Sequence, residues 1–352
     1  MRKIIGFSRQ AAALLALAAA GAVATSGAAS AGEQALDDGQ RSAIDTIVQG
    51  AKEAGGFPSL VVVIDRGGKT VYSRVLGDAD LSHGVPATLE TAYAIGSITK
   101  SFTGLAAVQL AYEGHLDLDA TVRDYLPDYD GPGAGVSVAR LLDHTSGIPN
   151  YTSEIPGIRP SLERRGYSRD EMVALFEDLP LNFEPGTRWS YTNSGYYLLG
   201  LIIETVSGMD YYDYMREHVF VPLGMERTYS GDYAEVIPRR ARGYALSGED
   251  YVNAAPWHYL VPFSAGSLVS TAADVIRYRR GVFHSGHFSA GLRAMVLETR
   301  PLVGGEESLY SLGGLIVSEF AGRRKVSHAG DIWGYTSDHA YYPEEDLTIV
   351  ML

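Results

Sequence analysis

The sequence predicts an α/β fold of the α+β kind. An antiparallel sheet is built from the N- and C-terminal parts of the chain and flanked by helices, with an all-helical region inserted between them. Three observations predict it. β-rich runs occur near residue 60 and again after residue 308, the stretch from 93 to 214 reads as helices and long loops, and neither a low-complexity linker nor an internal repeat divides the 352 residues.

The elements follow in order. "ALDDGQRSAIDTIVQGAKEAGG" spaces Leu36, Ile44, Ile47 and Val48 as one helix face and stops at Gly55-Gly56. "SLVVVIDRGGKTVYSRVLG" holds two β-rich runs around Arg66-Gly67-Gly68-Lys69, a hairpin signal. Helices are expected at 97–113, 137–143, 168–177 and 194–206, the last capped by Asn193 or Ser194 and stopped by Gly208. The region 226–308 has too little periodicity to assign. "SLYSLGGLIVSEF", "RRKVSHAG", "TSDHAYYP" and "LTIVML" then read as short strands with turns between them. The sequence stops at Met351-Leu352 inside the last of these, so truncation of the C-terminal end is an expectation.

Arg2, Lys3 and Arg9 precede an uncharged Ala/Leu-rich run that leads to Ala29-Ser30-Ala31. This predicts a signal peptide over 1–31, cleaved after Ala31, and a single mature domain over 32–352 that is secreted or periplasmic. The apolar run is short for a membrane span, and no membrane insertion is expected after cleavage. The absence of cysteine leaves an exported fold to packing alone. Loss of residues 1–31 removes three basic groups and no acidic ones, which moves the formal charge from −13 to −16. So acidic a surface repels phosphate backbones and anionic lipid, and excludes nucleic acid as an expected partner.

In "YAIGSITKSFTGLAAVQLAYEG", Ser97 and Lys100 stand one helical turn apart at the start of an apolar helix. Burial disfavours an ammonium and lowers its pKa, while a helix N-terminus favours developing negative charge. A neutral amine there can take the serine proton. "FEPGTRWSYTNSGYYLLG" places Tyr191 and Asn193 in a loop just before a helix. A phenol can relay a proton to a leaving group, and an amide can hold an acyl-side group. "RRKVSHAGDIWGY" puts His328 and Gly330 on one face at the end of a strand, with Ala329 and Asp331 on the other. His284 and His287 share a Gly-containing loop with no third ligand in view, so no metal and no cofactor are expected.

Together "SITK", "YTN" and "HAG" resemble the serine penicillin-recognising family of class C-like β-lactamases, DD-peptidases, D-aminopeptidases and related esterases. "LLDHTSGIPNY", "VFVPLGMERT" and "SAGSLVSTAADVIRY" support the likeness, which runs from about residue 40 to the end. It implies a β-lactamase/transpeptidase-like fold and an exported serine acyl hydrolase that acts on a small peptide, amide or ester through an acyl-enzyme on Ser97. Lys100 and Tyr191 would share the proton work, with the acylation base left open. Asn193 would bind substrate or hold Lys100. His328 would hydrogen-bond to Tyr191 or assist the leaving group, and the N–H groups of Ser97 and Asp331 would form the oxyanion hole. His144 in "DHTSG" would be a structural corner.

Two departures bear on substrate. His328 stands where many relatives have lysine, a weaker anchor for a carboxylate. Ala329 and Asp331 stand where carboxylate-binding relatives tend to have hydroxyls. If Asp331 faces the pocket, a free carboxylate beside the scissile bond is disfavoured; the alternative is that it turns away and pairs elsewhere. The resemblance therefore points first to a DD-carboxypeptidase or D-aminopeptidase. A carboxylesterase, a β-lactamase and a catalytically silent cell-wall peptide binder remain as alternatives, and the oligomeric state is not legible.

Overall fold

The computed structural model describes residues 35–352 apart from 164, 249 and 285. The expected signal segment thus lies outside the described residues. Helix α1, Asp38–Gly55, begins on an Asp37 cap whose side chain accepts the Gln40 N–H, and it buries Ile44, Val48 and Ala51 at helical spacing. Strands β1 (Ser59–Arg66) and β2 (Lys69–Asp80) follow, joined through Gly67-Gly68 as expected. β3 is Val85–Pro86, and β4 (Tyr93–Ala94) pairs with β7 (Val269–Ser270) in a small ribbon. A hairpin of β5 (Tyr244–Ser247) and β6 (Asp250–Asn253) stands apart. The chain closes with β8 (Ile316–Phe320), β9 (Arg323–Ile332), β10 (Tyr335–Tyr342) and β11 (Leu347–Met351).

The main sheet runs β3-β2-β1-β11-β10-β9-β8, and every neighbouring pair is antiparallel. β1 pairs with β11, so the two ends of the chain meet at the sheet centre as the sequence predicted. Alternation gives the sheet two apolar faces. Leu60, Val62, Ile64, Ala340, Tyr342 and Ile349 pack with α1, whereas Val61, Val63, Val326, Tyr341 and Val350 join the larger core under the helical region. Among the described residues no helix is long and apolar enough to cross a membrane.

In the inserted region the helices Thr99–Tyr112, Val138–Leu142 and Asn193–Ser207 lie where expected, although the cap of the last is Thr192, whose hydroxyl accepts the Ser194 N–H, rather than Asn193 or Ser194. The segment 168–177 is helical only over Arg169–Val173 and continues as tighter turns, with N–H groups of Leu175 and Phe176 reaching back three residues. The unassigned 226–308 region contains the helices Ala272–Phe283 and Ala290–Val296. The apolar periodicity of the first is interrupted because its buried face includes Asp274 and Arg279. The Asp274 carboxylate is occupied by the Arg227 N–H, the Thr228 hydroxyl and Arg277.

Candidate active site

Ser97 sits half-buried in a 3-10 turn, Gly96–Ile98, at the mouth of the helix Thr99–Tyr112, which is buried from Thr99 to Val108. Lys100 is 0% exposed, and burial holds its pKa well below the usual lysine value. Its Nζ lies 2.7 Å from Asn193 Oδ1, 2.7 Å from the Ala265 carbonyl and 3.3 Å from Ser97 Oγ. A neutral amine has two N–H groups and one lone pair. The two short contacts take the N–H groups, which leaves the lone pair for the serine hydroxyl.

Asn193 is fully engaged. Its Oδ1 accepts from Lys100, and its Nδ2 donates to Asn150 Oδ1 at 3.3 Å and Thr152 Oγ1 at 2.9 Å. Of its two expected tasks, it performs the holding of Lys100. The loop carrying Asn150 is latched to the same helix start, since the Ser194 hydroxyl donates to the Pro149 carbonyl and accepts the Tyr151 N–H. Tyr191 lies over this cluster, with its ring centroid 4.8 Å from Lys100 Nζ and 4.3 Å from the His144 ring. His144 is a corner as expected: it has φ 62°, and its Nδ1 accepts the Thr192 N–H at 3.2 Å.

His328 departs from its expected role. Its Nδ1 is 2.6 Å from the Ala329 carbonyl, which can only accept, so Nδ1 carries the hydrogen. Nε2, 2.8 Å from Tyr310 Oη, is then the acceptor. Both nitrogens are committed in these two contacts, so His328 presents no N–H to a leaving group. Burial first, and the cationic form of Lys100 second, push its pKa down to about 3. It is a neutral fixture behind the nucleophile.

β8 pairs with β9 only over Arg323–Ser327, so the segment from His328 to Ile332 runs past β8 and lies beside the Ser97 turn. Gly330 presses on that turn. A Cβ there would lie 2.0 Å from the Ile95 carbonyl, a contact that excludes every other residue. Gly96, with φ 50°, lies against the Asp331 backbone in the same way. The Asp331 N–H is therefore held beside the Ser97 turn, where an oxyanion can be received. The side chains of Ala329 and Asp331 point to the opposite sheet face from His328. Both are exposed, and Asp331 accepts from the Thr336 hydroxyl at 3.5 Å. Asp331 thus shares the exposed sheet face with Ala329, and Arg323 pairs with Glu345.

Sequence reasoning missed Ala265, Asn150, Thr152 and Tyr310. Ala265 acts through its carbonyl, which has no sequence signature, while Tyr310 is marked only by an aromatic ahead of Gly313-Gly314. Trp257 and Trp333 stack at 5.8 Å, whereas Tyr151 is core, donating from its hydroxyl to the Val261 carbonyl at 2.6 Å. His284 is tied to Tyr341 and Asp346.

Residues 44–352 match the family model described as Beta-lactamase. Penicillin-binding protein 4* of Bacillus subtilis is 28% identical over 330 residues, covering 90% of this chain and 72% of that protein. Among solved structures, the octameric penicillin-binding protein homologue from Pyrococcus abyssi superposes with a TM-score of 0.74 at 30% identity, over 90% of this chain and 73% of that one. The D-amino acid amidase from Ochrobactrum anthropi SV3 has a TM-score of 0.74 at 25% identity, over 87% and 90%.

Proposed function

We propose, for a chain that belongs to the β-lactamase family of serine hydrolases, that it is an exported acyl hydrolase of amides and esters whose leaving side carries no carboxylate. One observation carries the chemistry: Lys100 Nζ lies 3.3 Å from Ser97 Oγ with its two N–H groups already spent on Asn193 and Ala265. In acylation the Lys100 lone pair takes the Ser97 hydroxyl proton as Oγ bonds to the substrate acyl carbon. The oxyanion is received by the N–H groups of Ser97 and Asp331. The carbonyl re-forms as the bond to the leaving group breaks, and the proton passes by way of the Tyr191 phenol to the departing nitrogen or oxygen. Water then repeats the sequence on the ester and frees the acid.

The preference for an uncharged leaving side rests on His328. Neutral and with both nitrogens occupied, it offers neither charge nor donor to a carboxylate, as a lysine would. This favours an aminopeptidase or amidase over a DD-carboxypeptidase or β-lactamase. The same observation admits esters, so a carboxylesterase is the second reading.

A serine-directed phosphonate is expected to add to Ser97 stoichiometrically, as read by mass analysis of the peptide, whereas labelled penicillin reacts at least about 10-fold more slowly. A D-alanyl-D-alanine peptide amide is expected to turn over faster than the corresponding free acid. Preference for the acid, or rapid penicillin labelling, would reverse the substrate assignment; a phosphonate adduct elsewhere than Ser97 would reverse the mechanism.

A further inference from the structure

We propose that Tyr310 is a positioning residue for this reaction, holding His328 as the Nδ1–H tautomer so that the β9 edge and the lysine stay in register with Ser97. The inference rests on the Ser97–Lys100 mechanism above. Three contacts carry it. Tyr310 is 1% exposed, and its hydroxyl donates to His328 Nε2 across 2.8 Å. His328 Nδ1 donates to the Ala329 carbonyl at 2.6 Å, so the ring is pinned from both sides on the strand that presents the Asp331 N–H. Finally, the segment that begins with Tyr310 also cradles the lysine. A Cβ on Gly314 would lie 2.3 Å from the Lys100 carbonyl, and a Cβ on Gly104 would lie 2.5 Å from Gly313. One short stretch, 310–314, therefore touches both the nucleophile helix and the histidine of β9.

The groups facing His328 are Tyr310, Tyr191 and His144 from loops, Lys100 from the nucleophile helix, His339 from β10 and Arg279 from the helix Ala272–Phe283. Tyr310 is the one that meets Nε2. The His328 N–H is held separately, donating to His339 Nδ1 at 3.1 Å. If the tyrosine hydroxyl is removed, Nε2 becomes a buried acceptor without a donor. The ring then gains reason to turn or to bind a proton, with its cationic form beside Lys100.

In Tyr310→Phe, kcat on a p-nitrophenyl ester is expected to fall about 10-fold with KM within about 2-fold, and the acid limb of the kcat profile is expected to shift toward higher pH. Nitrogen-15 NMR of histidine-labelled wild type, which does not depend on how the variant folds, is expected to show His328 as the Nδ1–H tautomer from pH 5 to 9. An Nε2–H tautomer, or a variant with unchanged kcat and pH profile, overturns the proposal. Ser97→Ala is assayed alongside. Full activity in that variant would refute the mechanism itself, whereas its inactivity with an unaltered Tyr310→Phe refutes only the role of Tyr310.

Discussion

Lys100→Met is expected to lower kcat/KM by about 10³-fold or more while the protein still folds, and to make stability depend less on pH. The catalytic part follows from the loss of the group that takes the Ser97 proton, since general bases contribute about 10²- to 10⁴-fold. The stability part follows from linkage. The buried Lys100 has a folded pKa well below the roughly 10.4 of an unfolded lysine, so the unfolded chain binds a proton that the folded chain does not. Its contribution is therefore fully present above the unfolded pKa and lost as pH falls toward the folded one. Wild type should gain stability relative to Lys100→Met as pH rises toward about 10.4, by at most about 1.4 kcal/mol per pH unit. The variant also leaves Asn193 Oδ1 and the Ala265 carbonyl without a donor, a cost of about 1–3 kcal/mol each that is independent of pH. Urea unfolding of both proteins along that rise in pH measures the difference. A constant offset with no pH dependence would mean that Lys100 is an ammonium in the folded state, and the role of base would pass to another group.

The outline of this site was legible because its reactive side chains lie in short local motifs. Ser97 and Lys100 are fixed by one helical turn, and the strand period separates His328 and Gly330 from Ala329 and Asp331. The assembly of one sheet from early and late strands was likewise legible from the β-rich runs at both ends, although which strands pair was not. What escaped was supplied by contacts that join distant stretches. Ala265 gives a backbone carbonyl to Lys100 across 165 residues, a role any residue type can fill. The apolar stripe of the helix Ala272–Phe283 is interrupted by buried charge, with Asp274 answered by the Arg227 backbone N–H, Thr228 and Arg277. The role of His328 was misjudged for the same reason. The family resemblance implied a bond to Tyr191 or help to the leaving group, but the partners that fix its protonation are the Ala329 carbonyl and a tyrosine 18 residues away.

Acid is expected to unfold this protein steeply, and at a pH set by histidines rather than by its many surface carboxylates. His144, His328 and His339 are all at or below 4% exposure and held below the ordinary histidine pKa, in each case chiefly by burial. Lys100 presses further on the first two, and Arg279, packed on the His339 ring, presses on the third. Each group has a folded pKa depressed below about 6.5, so the unfolded chain takes up its proton first. The stability these residues lend is present above about pH 6.5 and drains away as pH falls, down to about 3 in the case of His328. Each proton taken up on unfolding is worth about 1.4 kcal/mol per pH unit, so the loss steepens as pH falls below about 6.5. Unfolding free energy from urea titrations at pH 7, 6, 5.5 and 5 measures the slope. His144→Asn is the matched control, because asparagine tolerates the left-handed backbone at φ 62° and can still accept the Thr192 N–H. That variant should show a shallower slope than wild type; an unchanged slope would show that His144 is protonated in the folded state.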